Sequence, residues 1–250
     1  MGVPRARPEC CASPFPLFPG DVLKVTKLNL ISSVLLLALT AIAAESTLPN
    51  ETLRYSINWP TGVSLGEAQL SASSSAAHMH FQFNLDAAVP AFTVSDHFGS
   101  DASGSFCSSE FDKSTSHGSK KTDEKETFDS KTGAVTRGSG SGQSELDAST
   151  CSKDALTFLY FLRQELSQGR IPQEETVYFG APYEVRLNSA GTESIKIGGA
   201  SVDAERITAS VSGPSSSISF EMLFLKDPAR TLAVVRVPLA LGTFSMELVK

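Results

Sequence analysis

Between Leu53 and the C-terminus, stretches in which apolar and polar residues alternate with a period of two recur frequently. That spacing puts one set of side chains on each face of an extended strand. Leu53-Arg54-Tyr55-Ser56-Ile57-Asn58-Trp59 and Met79-His80-Phe81-Gln82-Phe83-Asn84-Leu85 show it most cleanly. The same reading predicts strands over 67–73, 105–111, 125–128, 134–137, 176–179, 183–188, 193–197, 204–211, 217–225, 231–237 and 243–249. Turn residues separate them: Pro60-Thr61-Gly62, Asp129 to Gly133, Ser189-Ala190-Gly191, Gly198-Gly199, Ser212-Gly213-Pro214 and Asp227-Pro228. Many short strands joined by short turns predict an antiparallel meander.

One segment departs from this period. Between Asp154 and Leu166, the residues Ala155, Phe158, Leu159, Leu162 and Leu166 fall at helical spacing, with Leu156, Tyr160 and Phe161 widening the apolar face. Ser152 is the expected cap, Asp154 suits the positive end, and Gly169 with Pro172 stops the helix. The predicted fold is mainly β, with a large antiparallel, curved sheet packed around one main α-helix.

The N-terminal region reads as an export signal. Lys24 and Lys27 precede an apolar run that begins at Leu28 and ends in the small-x-small triplet Ala41-Ile42-Ala43. Residues 1–43 are therefore expected to be removed, with cleavage after Ala43 or Ala44, leaving a single β-rich domain over 44–250. The run is too short and too interrupted for a membrane span of about 20 residues, so no integral membrane protein is expected after cleavage. The prelude 1–21 is unlike a normal signal start, and a start at Val22 or Val25 would give a more compact one.

Removing residues 1–43 takes the formal charge from -6 to -8. The remaining lysines and arginines are scattered among acids, which argues against a nucleic-acid partner. Cys107 and Cys151 alone remain beyond the signal, and two cysteines in an exported domain predict a disulfide. No CxxC pair or nearby histidine completes a metal set around them.

Chemistry-bearing residues are few. His78 and His80 share one face of a strand, which is expected to be its wet face; they would supply half of a metal site only if the fold brought His97, Asp96 or Asp101 to them. Ser95-Asp96-His97 has the residue types of nucleophilic catalysis, yet neighbours in sequence do not converge on one point, so a polar loop is expected. Glu67, Asp86, Asp96 and Asp101 are acid-base candidates that sequence does not place. The charge-rich stretch from Lys113 to Glu126 reads as a solvated hairpin, and Gly138 to Gly142 as a mobile hairpin tip. Arg163, within an apolar helix, calls for a carboxylate or carbonyl partner, with ligand binding as the alternative. Trp59, Phe81, Phe83, Phe92, Phe98 and Tyr160, with Arg163, are the candidates for lining a groove; the competing role for the aromatics is plain core. No catalytic residue, cofactor or complete metal site is assigned.

Several stretches carry a family resemblance: Glu51 to Trp59 with Gly66 after it, Phe128-Asp129 to Gly133, Asp154 to Arg163, Gly180-Ala181-Pro182-Tyr183-Glu184-Val185, and Lys226-Asp227-Pro228-Ala229-Arg230 on to Gly242. With these, the sequence resembles the bacterial exported proteins grouped as domain of unknown function family 3108. The resemblance implies an envelope-facing antiparallel β domain with a packed helix, an open or half barrel loosely similar to bacterial lipoprotein carriers. It implies no reaction. The sequence departs from the family at Phe224-Leu225-Lys226-Asp227, where members often have tryptophan before the aspartate.

The leading expectation is a non-enzymatic periplasmic or extracellular protein that binds an apolar ligand, a lipid or acyl chain, in a groove between sheet and helix. A protein-interaction module of the cell envelope and a metal-assisted hydrolase built on His78 and His80 are the alternatives.

Overall fold

The computed structural model describes residues 50–249, except 76, 91, 141, 173 and 215. The expected signal, residues 1–43, lies outside the described residues. The alternating sequence forms β1 (Glu51–Asn58), β2 (Ser64–Ser74), β3 (His78–Val89), β4 (Phe92–Ser103), β5 (Ser108–His117), β6 (Lys120–Asp129), β7 (Ala134–Ser139) and β8 (Gly142–Asp147), each paired antiparallel to the next. A two-residue strand, β9 (Lys153–Asp154), leads into α1 (Ala155–Ser167). The chain then continues through β10 (Glu174–Tyr178), β11 (Pro182–Ile197), β12 (Ala200–Ser212), β13 (Ser217–Leu225), β14 (Leu232–Leu239) and β15 (Gly242–Val249).

All fifteen strands belong to one curved, unclosed sheet in the order β8-β7-β6-β5-β4-β3-β2-β1-β15-β14-β13-β12-β11-β10-β9. The first and last strands pair at its centre, so the meander grows outward in two wings. Its edge strands, β8 and β9, are consecutive in sequence, and the short link over 148–152 keeps them close. Tyr178 Oη donates to the Asp147 carbonyl across that seam, at 2.9 Å. Cys107 and Cys151 form a disulfide that ties the link to the β4–β5 turn, with Cα atoms 4.6 Å apart.

Helix α1 packs on the concave face, where two apolar clusters meet it. One gathers Tyr55, Leu70, Phe81 and Phe111 with Leu156 and Tyr160; the other joins Val185, Ile207, Met222 and Phe224 to Phe158, Leu162 and Leu166. A third cluster uses side chains that alternate with these, such as Leu223 between Met222 and Phe224, and so lies on the opposite face. Gly66 fits a close strand approach, because a Cβ there would stand 2.0 Å from the Asp86 carbonyl oxygen.

The structure revises several local expectations. The helix cap is Asp154, which accepts from the amides of Leu156 (2.8 Å) and Thr157 (3.1 Å); Ser152 instead bonds Ser149. The pairing of Lys153-Asp154 with β10 carries the chain two residues beyond Ser152 before helical geometry begins. Ser189 to Gly191 is not a turn but an irregularity inside the continuous strand β11. The Ser95-Asp96-His97 stretch is not a loop but the middle of β4, held by ladders on both sides. Within the Gly138–Gly142 stretch, Ser139 pairs with Gly142, so β7 and β8 extend into the expected tip.

Candidate functional site

Between the helix and the two wings lies a groove of about 490 Å³, within the size range of small-molecule sites, about 300–1,000 Å³. Ala155, Phe158, Leu159 and Leu162 of α1 form one wall. Leu70, Phe83 and Phe98 come from the first wing, and Val185, Val211, Phe220, Met222 and Val235 from the second. Of twenty lining residues, Tyr183 alone carries a polar side-chain group. Phe98 stacks near Phe83, with ring centroids 5.7 Å apart, and meets Phe179 edge-on at 5.2 Å, so one wall is aromatic. At the mouth, Phe98 and Phe179 also border a polar shelf that holds Asp96, Lys113, His117, Lys120 and Glu124.

The groove takes only part of the aromatic set read from the sequence. Phe83 and Phe98 line it. Phe81, on the same face of β3 as Phe83, is fully buried beneath the helix, where Tyr160 stacks on it with centroids 4.2 Å apart. Both are core rather than groove. Trp59 stands at the β1–β2 turn against Phe244, with centroids 4.9 Å apart, and Phe92 is exposed at the β3–β4 tip; neither reaches the groove.

Arg163 is also committed elsewhere. Its guanidinium forms a two-pronged pair with Glu51, Nη1 to Oε1 and Nη2 to Oε2, while Nε donates to the carbonyls of Ala229 and Arg230, each at 3.1 Å. The planar fork matches a carboxylate and still has donors for the β13–β14 turn. The pair holds Arg163 above its ordinary pKa, against the opposing pull of burial. The same guanidinium lies 4.8 Å from the centre of the Tyr160 ring. Helix, first strand and late turn are thus joined at one side chain.

Two buried acidic sites escaped the sequence reading. Asp154 is wholly buried and accepts from Ser100 Oγ (2.7 Å), Ser108 Oγ (2.5 Å) and Thr157 Oγ1 (2.9 Å). Desolvation raises its pKa, and these donors oppose the rise. The second site corrects the solvated-hairpin expectation. Glu124 and Glu126 share the face of β6 that carries Phe128, and that face turns inward. Glu124 pairs with Lys113 (2.6 Å) and Arg137 (2.5 Å). Glu126 is buried, and the facing Gly180 amide does not reach hydrogen-bond geometry with either carboxylate oxygen. Desolvation, with the neighbouring Asp154 charge, pushes its pKa up to about 7, while the Gly180 backbone amide, Lys113 and Arg137 pull the other way. Gly180 has a φ of +76°, and a Cβ there would come within 2.5 Å of Glu124. The alternation of Glu124 and Glu126 with Phe128 was the signal available in the sequence.

The histidines lie outside the groove. His80 Nδ1 meets Asp101 Oδ1 at 2.8 Å, so the fold does bring one of the expected acids to it. No cluster of three His, Cys, Asp or Glu side chains with metal-binding geometry forms among the described residues. His97 faces Asn84 Oδ1 (2.9 Å) and Ser95 Oγ (3.2 Å), while the Ser95 hydroxyl donates to Asp86 (2.7 Å). Asp96 points to the other face and meets His117 at 2.8 Å. The Ser95 hydroxyl is thus within reach of both Asp86 and His97 Nε2, on an exposed face of the sheet and away from the groove. Glu67, the remaining acid-base candidate, is exposed on β2.

A search of the curated proteins finds no match in sequence. Among solved structures, the fold resembles the beta-barrel-like protein of domain of unknown function DUF1849 from Brucella abortus. The TM-score is 0.60 at 7% identity, covering 81% of this chain and 97% of that one. The Mycobacterium tuberculosis lipoprotein LppX aligns over 80% of this chain and 85% of its own at 11% identity, with a TM-score of 0.25, too low to support an argument. The profile of the family described as "Protein of unknown function (DUF3108)" matches residues 54–249, and the chain belongs to that family.

Proposed function

We propose that this protein is an exported, non-enzymatic binder or carrier of an apolar ligand, a lipid or acyl chain, held in the groove between α1 and the sheet. The observation that carries the reading is the lining: twenty residues around about 490 Å³, with one polar side chain among them. Such a surface binds by removing apolar area from water and offers little to orient a reacting group. The disulfide supports an oxidising compartment. No helix among the described residues is long and apolar enough to cross a membrane.

The scaffold alternative keeps one foothold. Strand β8 lies at the open edge of the sheet, and five of its six residues are exposed, so a partner strand has a place to pair.

The environment-sensitive dye N-phenyl-1-naphthylamine tests the groove directly. It is expected to bind with a rise in fluorescence. Val211→Trp, which projects a large ring into the space, is expected to weaken binding about tenfold, since two excluded methylene equivalents are worth about 0.8 kcal/mol each. Equal affinity in parent and variant would count against the groove as the site.

A further inference from the structure

In an antiparallel meander, alternate turns fall at the same end of the sheet. One end collects the turns β1–β2, β3–β4, β5–β6, β7–β8, β10–β11, β12–β13 and β14–β15. Six large hydrophobic side chains stand exposed among the described residues, and five are at this end: Val63, Phe92, Ile218, Leu239 and Leu241. The exposures of Val63 (63%) and Leu241 (72%) are the largest of the set. The sheet order β4-β3-β2-β1-β15-β14-β13-β12 makes the four turns that carry them consecutive neighbours. A Cβ on Gly242 would touch the Pro60 ring at 2.8 Å, and one on Gly118 would lie 3.2 Å from Phe92 Cβ, so neighbouring tips are in contact.

Charge is distributed just as unevenly. The chain has 27 Asp and Glu residues, yet none lies in these seven turns or within two residues of them. Lys120 and Lys121, beside Phe92 on the β5–β6 tip, are the two charged side chains there, with His117 next to them. The turns of the opposite end carry Asp129, Lys131, Lys226, Asp227 and Arg230. Ile218 belongs both to this rim and to the groove lining, so the groove reaches the same end.

We infer that this rim is a docking surface for an anionic lipid bilayer, from which the groove loads or to which it delivers. The inference rests on the apolar-binder reading for its purpose but on independent residues for its geometry. Apolar side chains carried singly on separate turn tips suit a fluid surface that closes around each of them, whereas a protein partner favours one continuous packed patch. Lys121, and Lys120 at the outer end of the shelf it shares with Asp96 and Glu124, add attraction to anionic headgroups.

The test is flotation of the purified protein with vesicles of phosphatidylethanolamine and phosphatidylglycerol, and with vesicles of neutral phosphatidylcholine alone. The parent should float with the anionic vesicles. The Val63→Ser/Leu239→Ser/Leu241→Ser variant should partition at least about tenfold less, from the apolar area it no longer buries. Lys120→Glu/Lys121→Glu should lose the preference for anionic over neutral vesicles. Dye binding measured without vesicles should be unchanged in the triple variant, which separates the rim from the groove: loss of dye binding in the parent would strike the groove reading and leave flotation to judge the rim. A parent that does not float, or a triple variant that floats equally well, overturns the proposal. So does a parent that sediments as a dimer while the triple variant is a monomer that still floats, since the rim would then be a contact between copies.

Discussion

Arg163→Met is expected to lower the free energy of unfolding by about 3–5 kcal/mol, the cost of breaking a buried ion pair from one side. The side chain is 1% exposed, and its loss strands the Glu51 carboxylate and two backbone carbonyls of the 229–230 turn. Arg163→Lys should fall between parent and methionine, because an ammonium keeps the charge but cannot reach Glu51 and both carbonyls from one plane. The double variant Glu51→Gln/Arg163→Met should be less damaged than the sum of its single changes, since the stranded charge is gone. Urea unfolding of these proteins, together with the Glu51→Gln single variant, checks this. A single Arg163→Met variant within 1 kcal/mol of the parent, taken as about the value of an exposed pair, would show that the guanidinium does not hold the helix.

The second large effect depends on pH. Glu126 has an ordinary pKa of 4.5 and is pushed up to about 7 in the folded chain, mainly by desolvation. Below about pH 4.5 the group is protonated in both folded and unfolded chains and costs nothing in differential binding. As pH rises from 4.5 through 7, the unfolded chain releases the proton first, so folding becomes progressively less favourable; above 7 the loss is complete. The pKa difference corresponds to about 3 kcal/mol. Glu126→Gln should therefore be about 3 kcal/mol better placed relative to the parent at pH 8 than at pH 4.5, read from denaturant unfolding at both values. Parallel pH profiles for parent and variant would mean that the carboxylate reaches water or a donor in the folded protein.

These two residues also show which parts of the molecule were legible in the sequence. The alternation around Tyr55 and Phe81 gave strands in the right places, because one face of each is buried and the period is then enforced. Strand β4 was missed because Thr93 to Asp101 mixes polar residues on both faces; its order comes from two neighbouring ladders, which a single segment cannot reveal. The helix was clear from spacing, and the need of Arg163 for a partner was clear from its apolar surroundings. The identity of that partner was not, since Glu51 lies 112 residues away. The stretches that carried the family resemblance prove to be neighbours in space: Glu51 and Arg163 pair, Asp154 caps α1, and the Lys226–Arg230 turn accepts from Arg163.

The groove was only half legible for a related reason. Phe81 and Phe83 have the same alternation and the same face of β3, but α1 covers one and stops short of the other. Periodicity reports the face of a strand, not the depth at which another element crosses it. Glu126 shows the reverse error: charge density in 113–126 suggested solvent, while the two-residue spacing to Phe128 already placed Glu124 and Glu126 on the inward side.

The central claim, that the groove holds an apolar ligand, is tested most directly by native mass spectrometry of the protein purified without detergent from the cells that produce it. The account predicts a lipid-sized, non-covalent adduct that is lost on collisional activation and absent from Val211→Trp. A parent that arrives at its bare polypeptide mass under conditions that preserve the fold, or an adduct retained equally by Val211→Trp, would contradict it.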